Sequence, residues 1–337
     1  MHLQRRLTAI SCACRLLAGA TLISTFCSAP ARAELALDQL LSGVVHIKVH
    51  IAPDGRTAET LGHEREGSGI VIDDNGLVLT IGYLMVEAVS AEVVTNDGRT
   101  VGAQAIGYDN ESGFGLLQAT SPLKVRPLQM DAASAVKAGD PVLVASWGGI
   151  SALSGVHVVA RREFAASWEY LLDEAIFTAP PHPAWSGAAL IGHDGKLLGV
   201  GSLALSDVSG KGEGQNGNMF VPVAPLMPIL ADLISSGRRA VSRPWLGLNT
   251  DEIEGRLVVA RVTPGAPADK AGVKKGDIIL GVNGETPKNL SDFYRKVWAL
   301  GPAGTVVPLE VLQNPQRRGL LIHSINRLDD LKLNSSF

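Results

Sequence analysis

Short apolar runs separated by turn dipeptides are the feature that most constrains the fold of this 337-residue chain. Between Leu41 and Val223, runs rich in Val, Ile and Leu are interrupted by Asn-Gly, Asp-Gly or Gly-Gly pairs. Such pairs favour tight hairpin turns, and runs at this spacing are typical of antiparallel strands rather than strand-helix-strand units. The pattern therefore predicts an all-β barrel or sandwich. The runs are "GVVHIKVHI", "GSGIVIDDNGLVLT", "AEVVTNDGRTVGAQAIG", "DPVLVASWGG" and "GAALIGHDGKLLGVGSL".

The first 33 residues have the pattern of an export signal. Arginines open the segment, an apolar run spans 16–26, and the small residues Ala31 and Ala33 close it. Cleavage near Ala33 predicts a periplasmic or secreted protein. The run has 11 residues, whereas a spanning helix needs about 20, so we expect no integral membrane span.

Removal of this segment would change which reactive and charged groups the mature chain contains. All three cysteines, Cys12, Cys14 and Cys27, lie within it, so no disulfide, thiolate nucleophile or cysteine metal site would remain. Loss of its four arginines would leave 26 Lys and Arg against 33 Asp and Glu, a net charge near −7. A negative balance of this size argues against nucleic acid or an anionic membrane as a partner.

The hydrophobic period changes near Pro225, where apolar residues begin to recur at helical spacing and Gly237 is placed to cap a helix. The small and basic stretch 235–243 is predicted to be a linker. A second unit follows, with three strand-like runs and a helix that begins near Ser291. The apolar faces of the two helices are predicted to comprise Leu226, Ile229, Leu230, Leu233 and Ile234 in the first, and Phe293, Val297 and Leu300 in the second.

Several stretches, in the same order along the chain, resemble landmarks of the HtrA-type (Deg family) proteases. The resemblance implies a mainly β fold, with a trypsin-like double β-barrel followed by a PDZ domain. Together with the export signal at 1–33 and the helix and linker at 224–243, it implies a protease-like domain at 34–223, a PDZ domain at 244–326 and a tail at 327–337. The stretches are "GSGIVIDDNGLVLTIGYLMVEA", "GYDNESGFGLLQA", "AGDPVLVASWGG" and "PAWSGAALIGHDGKLLGVGS".

The resemblance also implies a catalytic site from which two of three residues have been lost. Ser186, in "AWSGAAL", matches the family's nucleophile. Tyr83, in "LTIGYLM", stands at the histidine position, and Gly113, in "SGFGLL", stands at the aspartate position. Ala184 replaces a glycine whose backbone N–H contributes to the oxyanion hole, and its side chain disfavours a positive φ.

The loss of the histidine bears most directly on turnover. A serine hydroxyl attacks efficiently only when a positioned base takes its proton, and a tyrosine with an ordinary pKa of about 10 is a poor base at neutral pH. Removing the histidine alone from a comparable triad costs roughly a factor of 10⁶ in turnover. We therefore predict a pseudoprotease. An active or residually active serine endopeptidase of envelope protein quality control is the alternative.

Other histidines are candidates for a replacement base or for metal ligands. His63 and His182 are the candidates for the base, although the stiff "PPHP" stretch predicts a surface position for His182. His46 and His50 are predicted to be half-exposed on one face of a strand, about 13 Å apart at ~3.3 Å per residue, which is too far to share a metal. No metal site and no cofactor are predicted.

The segment "RPWLGL" matches the carboxylate-binding loop of PDZ domains. In such a loop, successive backbone N–H groups receive the terminal carboxylate of a peptide, which then adds as a strand to the sheet edge. The predicted peptide-binding residues are Trp245, Leu246, Gly247 and Leu248. The alternative is that their side chains are only core residues.

The predicted partners follow from this loop and from the family. They are C-termini of peptides or unfolded proteins, a second copy in a homotrimer, or an active HtrA-like relative for which this chain would be a regulatory subunit. An aromatic group in the second barrel, Phe164, Trp168 and Tyr170, is predicted to serve core packing, with a partly exposed patch as the alternative.

Overall fold

A computed structural model describes residues 37–133 and 135–333 of the chain. The predicted export signal and residues 334–337 of the predicted tail lie outside these ranges. Within the described ranges, two closed six-stranded barrels precede a five-stranded sheet. The predicted mainly β architecture, with a double barrel followed by a further domain, is confirmed.

The first barrel contains the strands β1 (Val44–Ile51), β2 (Glu64–Val71), β3 (Leu77–Ile81), β4 (Ala88–Val94), β5 (Thr100–Tyr108) and β6 (Phe114–Ala119). They close in the order β1-β2-β3-β6-β5-β4. The expected Asn-Gly and Asp-Gly turns join β2 to β3 and β4 to β5, and Gly76 and Gly98 adopt φ values of +82° and +85° there. Residues 37–41 are helical (α1), and α2 spans Ala58–Leu61.

The second barrel contains β7 (Pro141–Ala145), β8 (Leu153–Ala166), β9 (Tyr170–Ala179), β10 (Ala189–Ile191), β11 (Leu197–Leu205) and β12 (Gly217–Pro222). They close in the order β10-β11-β12-β9-β8-β7. Strands β8 and β9, of 14 and 10 residues, form a long hairpin whose turn is residues 167–169. This turn contacts the C-terminal sheet and is important for the site described below.

The helix α3 (Leu230–Ser236) follows the second barrel and ends, as predicted, at Gly237, whose φ is +74°. Ile234 is 50% exposed, so its predicted inward position is wrong; the short helix buries only the side around Leu233. The linker after α3 is held against the first barrel because Arg239 forms a bidentate ion pair with Asp109, at N–O distances of 3.1 and 2.8 Å.

The C-terminal sheet contains β13 (Leu248–Ile253), β14 (Arg256–Val262), β15 (Ile278–Val282), β16 (Val306–Gln313) and β17 (Gln316–His323), with helices α4 (Pro267–Lys270) and α5 (Leu290–Trp298). The strands lie in sequence order, so β13 is an edge strand. Asn289 caps α5 by accepting the Asp292 N–H, and Phe293 and Val297 are buried as predicted. In the described ranges, no helix has the length and apolar character of a membrane span.

Candidate functional site

Ser186 lies in the loop between β9 and β10, where the second barrel meets the first. Its carbonyl accepts a hydrogen bond from the N–H of Ser68 on β2 at 2.9 Å. Tyr83 lies on the short 3₁₀ turn Gly82–Leu84 directly after β3. The structure brings these two residues together, with the Tyr83 hydroxyl 2.8 Å from the Ser186 hydroxyl.

The direction of this hydrogen bond follows from counting protons. The Tyr83 hydroxyl also lies 3.0 Å from the carbonyl of Ser202, which can only accept, so the one phenolic proton goes to that carbonyl. The Ser186 hydroxyl is therefore the donor to Tyr83. Burial raises the pKa of Tyr83 above its usual value, and the bond from Ser186 only partly offsets this effect. The phenol is neutral at physiological pH and is not a proton acceptor of useful basicity.

Gly113 lies where β5 turns into β6, with a φ of +85°. A Cβ built on it would lie 3.2 Å from the Tyr170 hydroxyl oxygen and 3.4 Å from Ile81 Cδ1. Tyr170 is fixed in this place because its hydroxyl donates to the Ser112 carbonyl at 2.6 Å. The Tyr170 ring thus restricts the space into which an acidic side chain at position 113 would extend.

The backbone N–H of Ala184 does not point toward a developing oxyanion. It donates to Nδ1 of His182 at 3.1 Å, and Ala184 is not among the residues with a positive φ. His182 Nε2 lies 3.2 Å from the Ala152 carbonyl, so Nδ1 is the unprotonated ring nitrogen and Nε2 is the donor. The imidazole and the amide of position 184 therefore satisfy one another instead of serving Ser186.

The predicted surface position of His182 is wrong, since the residue is only 4% exposed. Both ring nitrogens bind backbone groups, which draws the ring inward despite the flanking prolines. Burial lowers the pKa of His182, which keeps the ring neutral. His63, the other candidate base, is exposed and joins the structure through its carbonyl, which accepts the Ile51 N–H.

The two histidines of β1, His46 and His50, contact neighbouring side chains. His46 is 8% exposed rather than half-exposed, because its ring stacks on Trp147 at a centroid distance of 3.9 Å. The side chain of His50 is exposed at the strand end, near Glu64. The described ranges contain no group of three or more His, Cys, Asp or Glu side chains arranged to hold a metal.

The loop that precedes β13 forms a complete anion site, and a carboxylate occupies it. The N–H groups of Leu246, Gly247 and Leu248 donate to the side-chain carboxylate of Glu169 at 2.9, 2.7 and 2.8 Å. Gly247 has a φ of +82°, and a Cβ there would lie 2.4 Å from Ala266 Cβ, so only glycine fits. The leucine side chains and Trp245 are buried, so core packing and carboxylate binding coexist in this loop.

Glu169 belongs to this site but is not among the residues predicted from the sequence. It lies at the tip of the β8–β9 hairpin with a φ of +59° and is 8% exposed. Burial raises its pKa to about 7, although the bonds from the three amides act in the opposite direction. The available signal was an acidic residue between Trp168 and Tyr170. Tyr170 is buried, as core packing predicts, whereas Trp168 is 38% exposed.

A cavity of about 650 Å³ connects the two places described above. Tyr83 and Trp185 line its side toward Ser186, and Gly247 and Leu248 line its side toward the C-terminal sheet. Trp168 lines it as well. Tyr83, whose hydroxyl contacts that of Ser186, and the loop before β13 thus face a common space.

Comparison with known proteins agrees with this architecture. A model of the trypsin-like peptidase domain matches residues 67–200, and a PDZ domain model matches residues 258–313. The chain is 29% identical over 265 residues to the periplasmic pH-dependent serine endoprotease DegQ of Escherichia coli K12, covering 74% of this chain and 56% of DegQ. It is 30% identical over 262 residues to a probable periplasmic serine endoprotease, DegP-like, of Brucella suis, covering 72% of this chain and 49% of that protein. The chain spans about half the length of these relatives.

Solved structures show the same fold at lower identity. The HtrA-type protease AlgW with a decapeptide superimposes with a TM-score of 0.55 at 20% identity, covering 89% of this chain and 98% of AlgW. A serine endoprotease from Yersinia pestis superimposes with a TM-score of 0.52 at 23% identity, covering 86% and 97% of the two chains. With the trypsin-like and PDZ models matched in this order, the chain belongs to the HtrA/Deg family.

Proposed function

We propose that this chain is an exported pseudoprotease that binds C-terminal peptides through its PDZ domain and uses its double barrel as a scaffold. One observation is the main support for the proposed loss of proteolytic turnover. The Ser186 hydroxyl donates to Tyr83, 2.8 Å away, and the phenol in turn donates to the Ser202 carbonyl. A nucleophile whose proton is held by a neutral phenol has no base to activate it.

Two further features of the cleft support this proposal. Gly113 contributes no carboxylate, and Tyr170 restricts the space that one would need. The Ala184 N–H is bound to His182 and is not free to stabilise an oxyanion. Loss of the base, the orienting acid and an oxyanion donor together would leave Ser186 with little advantage over any other serine.

The loop before β13 supports the peptide-binding part of the proposal. Its three amides bind a carboxylate in the structure, which is the chemistry that recognition of a C-terminus requires. The related protease AlgW has been solved with a decapeptide and with a tripeptide. Buried Leu246 and Leu248 beside the loop favour an apolar terminal residue in the peptide, and C-termini of unfolded proteins are the proposed ligands.

The names of the relatives support the alternative function better than this one. DegQ and the DegP-like proteins are described as endoproteases, which favours an active or residually active serine endopeptidase. Their periplasmic location supports the same location here, after signal cleavage near Ala33. The proposal therefore depends on the geometry at Ser186, where the alternative needs a base that the described residues do not place beside the hydroxyl.

The direct test is degradation of casein by the chain from residue 34 onward, with Ser186→Ala as the matched variant and E. coli DegQ as the positive control. We expect no cleavage by either form. Cleavage that disappears in Ser186→Ala contradicts the pseudoprotease.

A peptide array with free and amidated C-termini, probed with the same chain, tests the proposed binding of C-terminal peptides. Equal binding of both sets contradicts it. Size determination by light scattering tests the proposed trimer, and co-purification with an active protease tests the regulatory role.

A further inference from the structure

The tip of the β8–β9 hairpin, residues 166–169, is bonded along its length to the C-terminal sheet and to α5. The Ala166 carbonyl accepts the Tyr294 hydroxyl at 2.7 Å, and the Glu169 N–H donates to the same hydroxyl at 3.2 Å. The Ser167 carbonyl accepts the N–H of Thr250 on the edge strand β13 at 2.9 Å. With the carboxylate of Glu169 in the loop before β13, the tip is bonded to α5, to the edge strand β13 and to this loop, which together form the PDZ groove.

The contacts of the tip reproduce two features of a peptide bound by its C-terminus, although residues 167–169 themselves form a turn. Peptides recognised in this mode add to an exposed sheet edge through backbone hydrogen bonds while a nest of amides receives the carboxylate. Here the backbone bond to β13 lies at Ser167, two residues before the carboxylate of Glu169. A side-chain carboxylate takes the place of the main-chain one, and the left-handed conformation of Glu169 turns the chain away into β9.

Contacts on both flanks hold the hairpin in this position. Leu171, just after the tip, is buried within the apolar core of the PDZ domain. Arg295 on α5 pairs with Glu163 on β8 and with Asp173 on β9. Apolar and ionic contacts therefore reinforce the bonds made by the tip.

We propose that residues 166–169 are an internal ligand of the PDZ groove, with the Glu169 side chain in place of a terminal carboxylate, so that a peptide binds only by displacing the hairpin tip. The displacement part rests on the proposed peptide binding. The occupant is a segment of this chain, and the competing ligand is a peptide with a free, apolar C-terminus. Because Trp168 and Gly247 line the cavity that Tyr83 also lines, displacement would open the same space from the PDZ side.

Hydrogen exchange of the Leu246, Gly247 and Leu248 amides in the full chain tests the internal ligand without any peptide. Glu169→Ala is expected to raise their exchange rates by roughly tenfold or more, since local opening no longer has to break bonds to the carboxylate. Glu174→Ala, an exposed site on the same hairpin, is the matched control and leaves the rates unchanged. Unchanged rates in Glu169→Ala overturn the proposal.

Tyr294→Phe is a second variant that does not alter the loop or its acceptor. It removes the two bonds from the Tyr294 hydroxyl to the tip and is expected to raise exchange of the same amides by about threefold to tenfold. If Glu169→Ala does not fold, Tyr294→Phe alone tests the proposed internal ligand. Rates equal to those of the unmodified chain then overturn the internal ligand.

Peptide binding distinguishes the two proposals. Fluorescein-labelled decapeptides that end in Val, Leu or Phe, each as a free acid and as an amide, are titrated into the full chain and into Glu169→Ala. We expect free acids to bind the variant roughly tenfold or more tightly than the unmodified chain, and amides to bind neither. Equal affinity of the free acids for both proteins overturns the internal ligand. Binding to neither, with faster exchange in Glu169→Ala, supports the internal contact and overturns the proposed peptide binding.

Discussion

Two regions of this molecule match family sites at which backbone amides bind a negatively charged group. The structure shows such binding in only one of them. Near Ser186, the N–H of Ala184 is bound to His182 Nδ1 at 3.1 Å and is not directed toward a reacting oxygen. In the loop before β13, here called the PDZ loop, the amides of Leu246, Gly247 and Leu248 all donate to the carboxylate of Glu169, at N–O distances of 2.7–2.9 Å. The difference lies in the glycine: Gly247 reaches a positive φ, whereas position 184 holds alanine.

The comparison teaches which part of the fold retains its binding chemistry. A family name describes a scaffold, while activity depends on the groups present at the site. Around Ser186, the structure places a phenol hydroxyl beside the serine, a glycine at position 113 and an Ala184 amide that is bound to His182. The PDZ loop has all its donors in place. Four predictions address this contrast, in order of decreasing expected effect.

Glu87 provides a reference for a permanent anion site. It has a φ of +64° and is 1% exposed, and its carboxylate accepts from the amides of Arg56, Thr57 and Lys332 and from the Thr57 hydroxyl. Burial acts to raise the pKa of Glu87, but these hydrogen bonds outweigh it and the pKa is lowered. This carboxylate therefore stays charged at neutral pH, whereas Glu169, whose pKa is raised to about 7, gains a proton as pH falls below that value.

We expect Glu87→Ala to lower the free energy of unfolding by about 3–5 kcal/mol, since it leaves several buried donors without an acceptor. Chemical denaturation measures the loss. The matched control is Glu254→Ala, because Glu254 is an exposed glutamate with a positive φ of +49°. A loss in Glu87→Ala no larger than in this control would show that backbone strain, and not the anion site, governs the position.

Glu169 is expected to make peptide binding depend on pH. Burial raises the pKa of Glu169 from 4.5 to about 7, although the bonds from the three amides and the charge of Arg327 act to lower it. Tyr294 is the other titratable group that contacts Glu169. Because the pKa is higher when the hairpin tip is docked in the PDZ groove, docking is accompanied by uptake of a proton. The stabilisation is complete below pH 4.5 and is lost as pH rises through about 7.

Peptide affinity should therefore be higher at about pH 8 than at about pH 5, by up to about 3 kcal/mol at ~1.4 kcal/mol per unit of pKa shift. The measurement is fluorescence anisotropy of a free-acid decapeptide with the full chain. Glu169→Ala should remove most of this dependence. The same pH profile in both proteins would assign the effect to another group.

Introducing an acid at position 113 is expected to cost stability and, even with a histidine at position 83, to give only weak activity. In Gly113→Asp, the new Cβ would lie 3.2 Å from the Tyr170 hydroxyl oxygen, so the free energy of unfolding should fall by about 1–3 kcal/mol. The loss should be smaller in a Tyr170→Phe background, which lacks that oxygen. Tyr83→His combined with Gly113→Asp should degrade casein roughly 10²-fold or more slowly than DegQ, because the Ala184 amide stays bound to His182 and one oxyanion donor is worth about 10²–10³ in turnover. Activity close to that of DegQ in this double variant would contradict our description of the cleft.

The smallest effect is expected for Tyr83→Phe. It removes the hydroxyl that binds Ser186 and Ser202, at a cost of about 1 kcal/mol in the free energy of unfolding. It should leave the casein assay unchanged. A gain of hydrolysis in Tyr83→Phe would mean that the phenol suppresses an otherwise competent serine.

Much of the fold could be predicted from local patterns. Asn-Gly and Asp-Gly pairs between apolar runs gave the barrel strands, and helical spacing gave α3 and α5, because these signals act over a few residues. Ile234 was wrongly expected to be buried because periodicity identifies an apolar face but does not say how much of it a short helix covers.

The site was only partly predictable. The resemblance matched Ser186 and Tyr83 to neighbouring positions, and the structure places their hydroxyls 2.8 Å apart. The pairing of Glu169 with the PDZ loop joins residues 77–79 positions apart and needs a positive φ, which no short-range pattern reports. His182 was misplaced for a similar reason, since the backbone groups that bury it come partly from Ala152, 30 positions away.

The central claim is that Ser186 lacks a base, and labelling with a fluorophosphonate probe tests it most directly. The folded chain from residue 34 onward is incubated with the probe at neutral pH beside Ser186→Ala and E. coli DegQ, and the site of attachment is read by mass spectrometry. We expect labelling of DegQ and none at Ser186 above the background of the alanine variant. Near-complete modification of Ser186 on the timescale seen for DegQ would contradict it.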